Sequence, residues 1–178
     1  MSVESIVIAT DLNKTFKAEQ KGLDDVQALQ GINMQIKTGQ LTALVGPDGA
    51  GKTTFLRLIA GLYEPTTGSL KVLGMDVAKD PQSVQDRISY MPQKFGLYED
   101  LSIQENLDLY ADLHGVPMDV RKERFARLLK ITDLARFTER PAGKLSGGMK
   151  QKLGLACTLV RSPELLLLDE PSVGVDPL

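Results

Sequence analysis

Near the N-terminus, Ile6, Ile8 and Thr10 alternate with Val7 and Ala9, and further on Ile32, Met34 and Ile36 alternate with polar residues. A period of two puts successive side chains on opposite faces, so both segments predict strands of a partly exposed antiparallel sheet. Residues 17–26 between them are polar and charged, which predicts a solvated loop or hairpin tip. Residues 41–45 differ: a short, mostly apolar run ending at a glycine predicts a buried parallel strand. The spacing then becomes helical over residues 52–62, with Phe55, Leu56, Ile59 and Ala60 on one side.

Short strands are predicted at residues 70–73 and at Ile88–Met91. Ser102 and Glu105 form a capping box ahead of a helix that carries Leu107, Leu109 and Leu113. Gly115 to Pro117 end that helix, and residues 121–131 have amphipathic spacing through Phe125, Leu128 and Leu129. Ser146 can cap a further helix running to about Arg161. Pro163 stops it, and Leu165–Leu168 predicts a buried strand. The order is a β-rich start, strand–loop–helix, helical insert, helix and strand. It predicts an α/β domain carrying a helical subdomain.

Composition adds bounds to this picture. At 178 residues, the chain can bury one good core but not two large ones. Hydrophobic content of 42% and charged content of 25% are ordinary for a globular protein. A net charge of −2 gives no electrostatic pull toward nucleic acid or anionic lipid. Cys157 stands alone, so no internal disulfide forms, and a reducing compartment fits. It lies in the apolar stretch 153–160, where a small buried hydrophobe is expected. No apolar run approaches the about 18 residues that span a bilayer, and the N-terminus lacks a signal-peptide pattern. Service at a membrane would therefore need a recruiting partner.

The densest chemistry lies between the strand at 41–45 and the helix after it. Gly46, Pro47, Asp48, Gly49, Ala50, Gly51, Lys52 and Thr53 match G-x-x-x-x-G-K-[ST], a phosphate-binding loop. Glycines let backbone N–H groups converge on phosphate oxygens, and the helix N-terminus adds its dipole. Lys52 can bring its ammonium to the β and γ phosphates. The Thr53 hydroxyl suits Mg²⁺, and Thr54 can reach the α phosphate. By itself, the loop defines only the superclass of phosphate-loop nucleotide hydrolases.

After Leu165–Leu168 come Asp169, Glu170 and Pro171. On a strand aimed at the phosphate loop, Asp169 would hold Mg²⁺, usually through water. Glu170 would orient or deprotonate the water that attacks the γ phosphate. Taken without the loop, the pair also admits the reading of a strand ending in solvated acids; beside the loop, the metal and water roles are the expectation.

Leu145, Ser146, Gly147, Gly148, Met149, Lys150 and Gln151 spell LSGGMKQ, which closely resembles the signature sequence of the ATP-binding cassette (ABC) family. Ser146 and the two glycines open a helix and so make a second anion site. In that family two domains pair head to tail. Leu145, Ser146, Gly147, Gly148 and Gln151 of one domain then close over the ATP on the other. The resemblance extends residue by residue. Gln93, in Tyr90-Met-Pro-Gln93, resembles the Q-loop glutamine that reaches Mg²⁺ or the attacking water, and the residues following it would face a transmembrane partner. Asp176, in Val173-Gly-Val-Asp176-Pro177, resembles the D-loop aspartate at the domain contact. Phe16 matches the aromatic residue that stacks on adenine, although residues 17–26 are long for the family's loop. Asp48 stands where Asn or Ser is more usual. Residues 94–107 and the GVDP motif resemble the drug- and polysaccharide-export (ABC-2-type) branch.

The resemblance implies a phosphate-loop (RecA-like) parallel sheet core with an N-terminal antiparallel β subdomain and an inserted α-helical subdomain. Residues 1–178 would form a single ABC ATP-binding domain. Residues 1–95 and 162–178 would make the ATP-binding core and β subdomain, and about 96–161 the helical subdomain. Members usually run on past the D-loop through a helix, a strand and a switch histidine. The expectation is therefore a portion of a longer chain, with a gap beside the phosphate-loop strand. His114 lies in the helical insert and is expected at a helix end on the surface. ATP and Mg²⁺ are the implied ligands. The implied partners are a second ATP-binding domain, as a homodimer or tandem half, and a transmembrane permease, with no nucleic acid. The place implied is the inner face of the cell membrane. The leading expectation is an ATPase energising export. The alternatives are a non-transport ABC ATPase, or one half of a tandem protein with a weakly hydrolysing site.

Overall fold

Val7 and Ala9 are buried, and so are Val72 and Leu70, because the antiparallel register sets Val7 opposite Val72 and Ala9 opposite Leu70. The alternation seen in the sequence thus becomes one covered and one open sheet face. The computed structural model describes residues 5–18, 22 and 24–171, in two units, Met1–Ile88 and Ser89–Leu178.

In the first unit, β1 (Ser5–Phe16), β2 (Val26–Lys37), β3 (Thr67–Val72) and β4 (Met75–Asp76) form an antiparallel sheet in the order β2-β1-β3-β4. The register of β1 against β2 shifts between Ala9 and Leu12. There Asp11 adopts a left-handed backbone (φ 44°), and its N–H donates to Asn33 Oδ1 at 3.0 Å. Gly68 faces this bulge with φ +83°, and a Cβ on it would lie 2.1 Å from the Asp11 carbonyl oxygen. Only glycine fits there. Such a bulge re-aims the residues that follow, here the end of β1 carrying Lys14 and Phe16. α1 (Lys52–Ile59) packs on this sheet. Its buried face is Phe55, Leu58 and Ile59, so Leu58 replaces the expected Leu56. A short helix, α2 (Pro81–Gln85), is capped by Asp80, whose Oδ1 accepts from Ser83 N at 3.1 Å.

Residues 41–45 correct the sequence reading. They form no strand, and Leu41 and Val45 are 102% and 93% exposed. An apolar run becomes a buried strand only where neighbouring backbones complete its ladder. No described strand pairs with this one.

In the second unit, β5 (Ile88–Met91) pairs with β6 (Leu165–Leu168). α3 (Ile103–Leu113), α4 (Met118–Ile131) and α5 (Gly147–Leu159) enclose a core that includes Leu107, Phe125, Leu129, Leu134 and Leu153. The capping box is present: Glu105 N donates to Ser102 Oγ at 3.2 Å, and Ser102 N to Glu105 Oε2 at 2.7 Å. The buried stripe of α3 is Ile103, Leu107 and Ala111, while Leu113 is exposed. Leu113 is the last residue of the helix, just before the C-cap His114. α4 starts three residues before the predicted 121, after Pro117 at its N-cap. His114 is exposed at the C-cap of α3. Cys157 is fully buried, and loss of solvent pushes its thiol well above the usual range.

Candidate nucleotide site

The phosphate-loop residues lie in the first unit. Ala50 N donates to Pro47 O at 3.2 Å, closing a turn, and Gly49 and Gly51 hold φ of +78° and +82°. Gly51 also touches β2, where a Cβ would sit 2.5 Å from Ala28 O. Two independent reasons therefore exclude a side chain at this position. Gly51 is the N-cap of α1, with no side chain capping the first turn and no acidic residue in it. The start of α1, at residues 52–54, thus presents its dipole with no side chain capping it. Lys52 Nζ folds back over the loop, donating to Gly46 O and Pro47 O at 2.9 and 2.9 Å. Glycine backbone, an uncapped helix start and a lysine ammonium fit a polyphosphate. Asp48 is exposed at the turn.

At the end of β1, the half-buried Phe16 meets Tyr63 edge to face, with ring centroids 5.3 Å apart at 77°. Lys14 Nζ lies 5.0 Å from the Phe16 centroid and 5.6 Å from that of Tyr63.

The acidic residues lie in the second unit. The β5–β6 pairing continues past the strands, with Asp169 N donating to Met91 O at 3.0 Å. Asp169 is 3% exposed, and its Oδ2 accepts from the Tyr90 hydroxyl at 2.9 Å. Glu170 takes a left-handed backbone (φ 49°), which turns the chain at the strand end. Its Oε2 accepts from Gln93 Nε2 at 2.7 Å. Gln93, Asp169 and Glu170 line a cleft of about 240 Å³ together with Gly147, Lys150 and Gln151 of α5.

Ser146 caps α5, accepting from Met149 N at 3.3 Å. No acidic residue follows in the first turn, and Gly148 has open space around its Cα. Leu145, just before the cap, is buried and anchors the turn in the core. Lys150 Nζ pairs with Glu99 Oε1 at 2.6 Å. Buried Asn106 ties down the segment before α3. Its Nδ2 donates to the carbonyls of Tyr98, Leu101 and Ser102 at 3.0, 3.2 and 2.9 Å, and its Oδ1 accepts from Tyr98 N at 3.0 Å. Asp176 and the rest of its motif lie outside the described residues.

Thr53, Gln93 and Asp169 carry hard oxygen donors of the type Mg²⁺ takes. Among the described residues, no cluster of three or more His, Cys, Asp and Glu could hold a metal. Sequence reasoning missed Lys14, Tyr63, Asn106 and Glu99.

Residues 29–173 match the family model described as ABC transporter. Over 175 residues the chain is 54% identical to the probable multidrug ABC transporter ATP-binding protein YbhF of Escherichia coli (strain K12), covering 98% of this chain and 29% of that protein. It is 36% identical to the bacitracin transport ATP-binding protein BcrA of Bacillus licheniformis, covering 99% and 54%. The chain thus spans between a quarter and just over half of these relatives' length. Among solved structures, it resembles the dimeric ABC transporter cassette MJ0796, with TM-score 0.82 and 27% identity over 96% of this chain and 76% of that one. A post-hydrolysis state of the same cassette, bound to ADP and Pi, has TM-score 0.81 and 28% identity over 96% and 76%.

Proposed function

The chain belongs to the ABC transporter family and has the α/β fold of that family's ATP-binding domains, and on that premise we propose that it binds and hydrolyses ATP to energise an export transporter. The observation that carries the reading is the start of α1. A helix with no side-chain cap and no acidic first turn follows a glycine loop, and a lysine ammonium folds over that loop.

On this reading the N–H groups of residues 49–54 and the Lys52 ammonium hold the phosphates. Thr53, Asp169 and Gln93 would hold Mg²⁺, which when bound would neutralise phosphate charge. Glu170 orients the attacking water and accepts its proton, and Lys52 meets charge developing on the γ phosphate. Gln93, hydrogen-bonded to Glu170, links the water site to the segment that follows it.

A second ATP-binding domain completes the site. The capped, acid-free start of α5 at Ser146, Gly147 and Gly148 makes an anion site for the nucleotide of that partner, with Leu145 and Gln151 framing it and Asp176 at the contact. A permease docks on residues 95–101. No helix among the described residues is long and apolar enough to cross a membrane, and the permease would hold the protein at the inner membrane face. The export direction rests on the resemblance of residues 94–107 and the GVDP motif to the export branch. Lys52→Ala should abolish tight ATP binding in equilibrium titration, and retained micromolar affinity would reject the phosphate-site assignment.

A further inference from the structure

One cluster in the first unit is not accounted for by holding phosphate. Phe16 and Tyr63 meet edge to face at the end of β1. Lys14 Nζ stands within cation–π range of both rings, 5.0 and 5.6 Å from their centroids, and is held there by donating to Glu64 O at 2.8 Å. Tyr63 is fixed from its other end: Arg57 of α1 donates to its hydroxyl at 3.0 Å, with the guanidinium carbon 5.8 Å from the ring. A short chain of contacts therefore runs from the helix that begins at the phosphate loop to Phe16.

We infer that Lys14 and Tyr63 are positioning residues for the nucleotide base, holding the ring of Phe16 in place as a platform for a purine. The inference rests on the proposed ATP site. An aromatic side chain at a strand end would otherwise sample several rotamers, and ordering it at the moment of binding costs affinity. Here the edge contact with Tyr63 and the ammonium over its face order Phe16 beforehand. The cation also draws electron density from the ring, which favours stacking on an electron-rich purine. Phe16 stays half-buried, so ring surface remains for the base.

The test separates base from phosphate. In the intact protein, binding of ATP and of inorganic tripolyphosphate is measured for wild type, Tyr63→Ala and Lys14→Met. Both substitutions should weaken ATP about two- to tenfold and leave tripolyphosphate binding unchanged. Tyr63→Phe and Lys14→Arg, which keep the ring and the cation, should restore most of the ATP affinity. Unchanged ATP affinity in Tyr63→Ala and Lys14→Met would overturn the inference. So would a parallel loss of tripolyphosphate binding, which would mark the cluster as structural support of the loop. If tripolyphosphate failed to compete with ATP even in wild type, the phosphate-site reading would fall, and this inference with it.

Discussion

Gln93 and Glu170, 77 residues apart in sequence, are joined by a 2.7 Å hydrogen bond from the Gln93 side-chain amide to the Glu170 carboxylate. The bond holds the carboxylate that follows β6 against the loop that follows β5. It also splits the two acids between partners, since Asp169 accepts from Tyr90 instead. Neighbouring carboxylates held by different donors can serve different roles.

If Glu170 activates water, Glu170→Gln should slow single-turnover ATP hydrolysis by about 10²- to 10⁴-fold, the usual contribution of a general base. ATP affinity should survive. Gln93→Ala removes the donor that holds Glu170 and a proposed Mg²⁺ ligand but leaves the base itself, so its loss of rate should be the smaller. An unchanged rate in Glu170→Gln would remove it as the base.

Gly51→Ala tests the phosphate loop without touching a charged group. The new Cβ would press on Ala28 O, 2.5 Å away, in a backbone at φ +82°. Left-handed strain of this kind costs roughly 1–3 kcal/mol. Thermal denaturation should show a lower midpoint, and ATP binding should fall as the loop shifts. Gly49→Ala shares the strain, at φ +78°, but meets no atom, so its cost should be the lower of the two.

Asn106→Ala should cost roughly 1–3 kcal/mol, because it removes a buried set of hydrogen bonds including the acceptor of Tyr98 N. The side chain is fully buried and satisfies the carbonyls of Tyr98, Leu101 and Ser102. Hydrogen exchange should quicken at residues 98–106, which overlap the segment 95–101 proposed to meet the permease. Chemical denaturation measures the total cost.

The cap of α3 predicts an acid sensitivity. The Ser102 N–H, and then its hydroxyl, hold the Glu105 carboxyl below its ordinary range. A lowered folded value means the contribution is present above the unfolded value and is lost as pH falls through the folded one. Glu105→Gln should therefore flatten the stability profile between about pH 3 and 5, read by urea unfolding at each pH. An identical acid limb in both proteins would refute the capping role of the charge.

Local features were legible because their partners lie within a few residues. The box of Ser102 and Glu105, the cap at Ser146 and the glycine turns of the phosphate loop each follow from short-range hydrogen bonds and φ preferences. The alternation of Ile6, Ile8 and Thr10 with Val7 and Ala9 told that β1 is a strand, while which face is covered came from the register with β3. Residues 41–45 show where such reading stops. Their pattern is that of a buried strand, yet a strand depends on neighbours that a pattern does not name.

The sequence by itself determined the chemical inventory: a phosphate loop, an acidic strand end, a signature turn and the helices that carry them. Only tertiary structure decided the pairings: Gln93 with Glu170, Tyr90 with Asp169, Glu99 with Lys150, and Tyr63 and Lys14 with Phe16. The physical reason is range. Caps and turns are set by backbone geometry over about four residues, whereas these contacts, even when close in sequence, depend on where the sheet and helices direct each side chain.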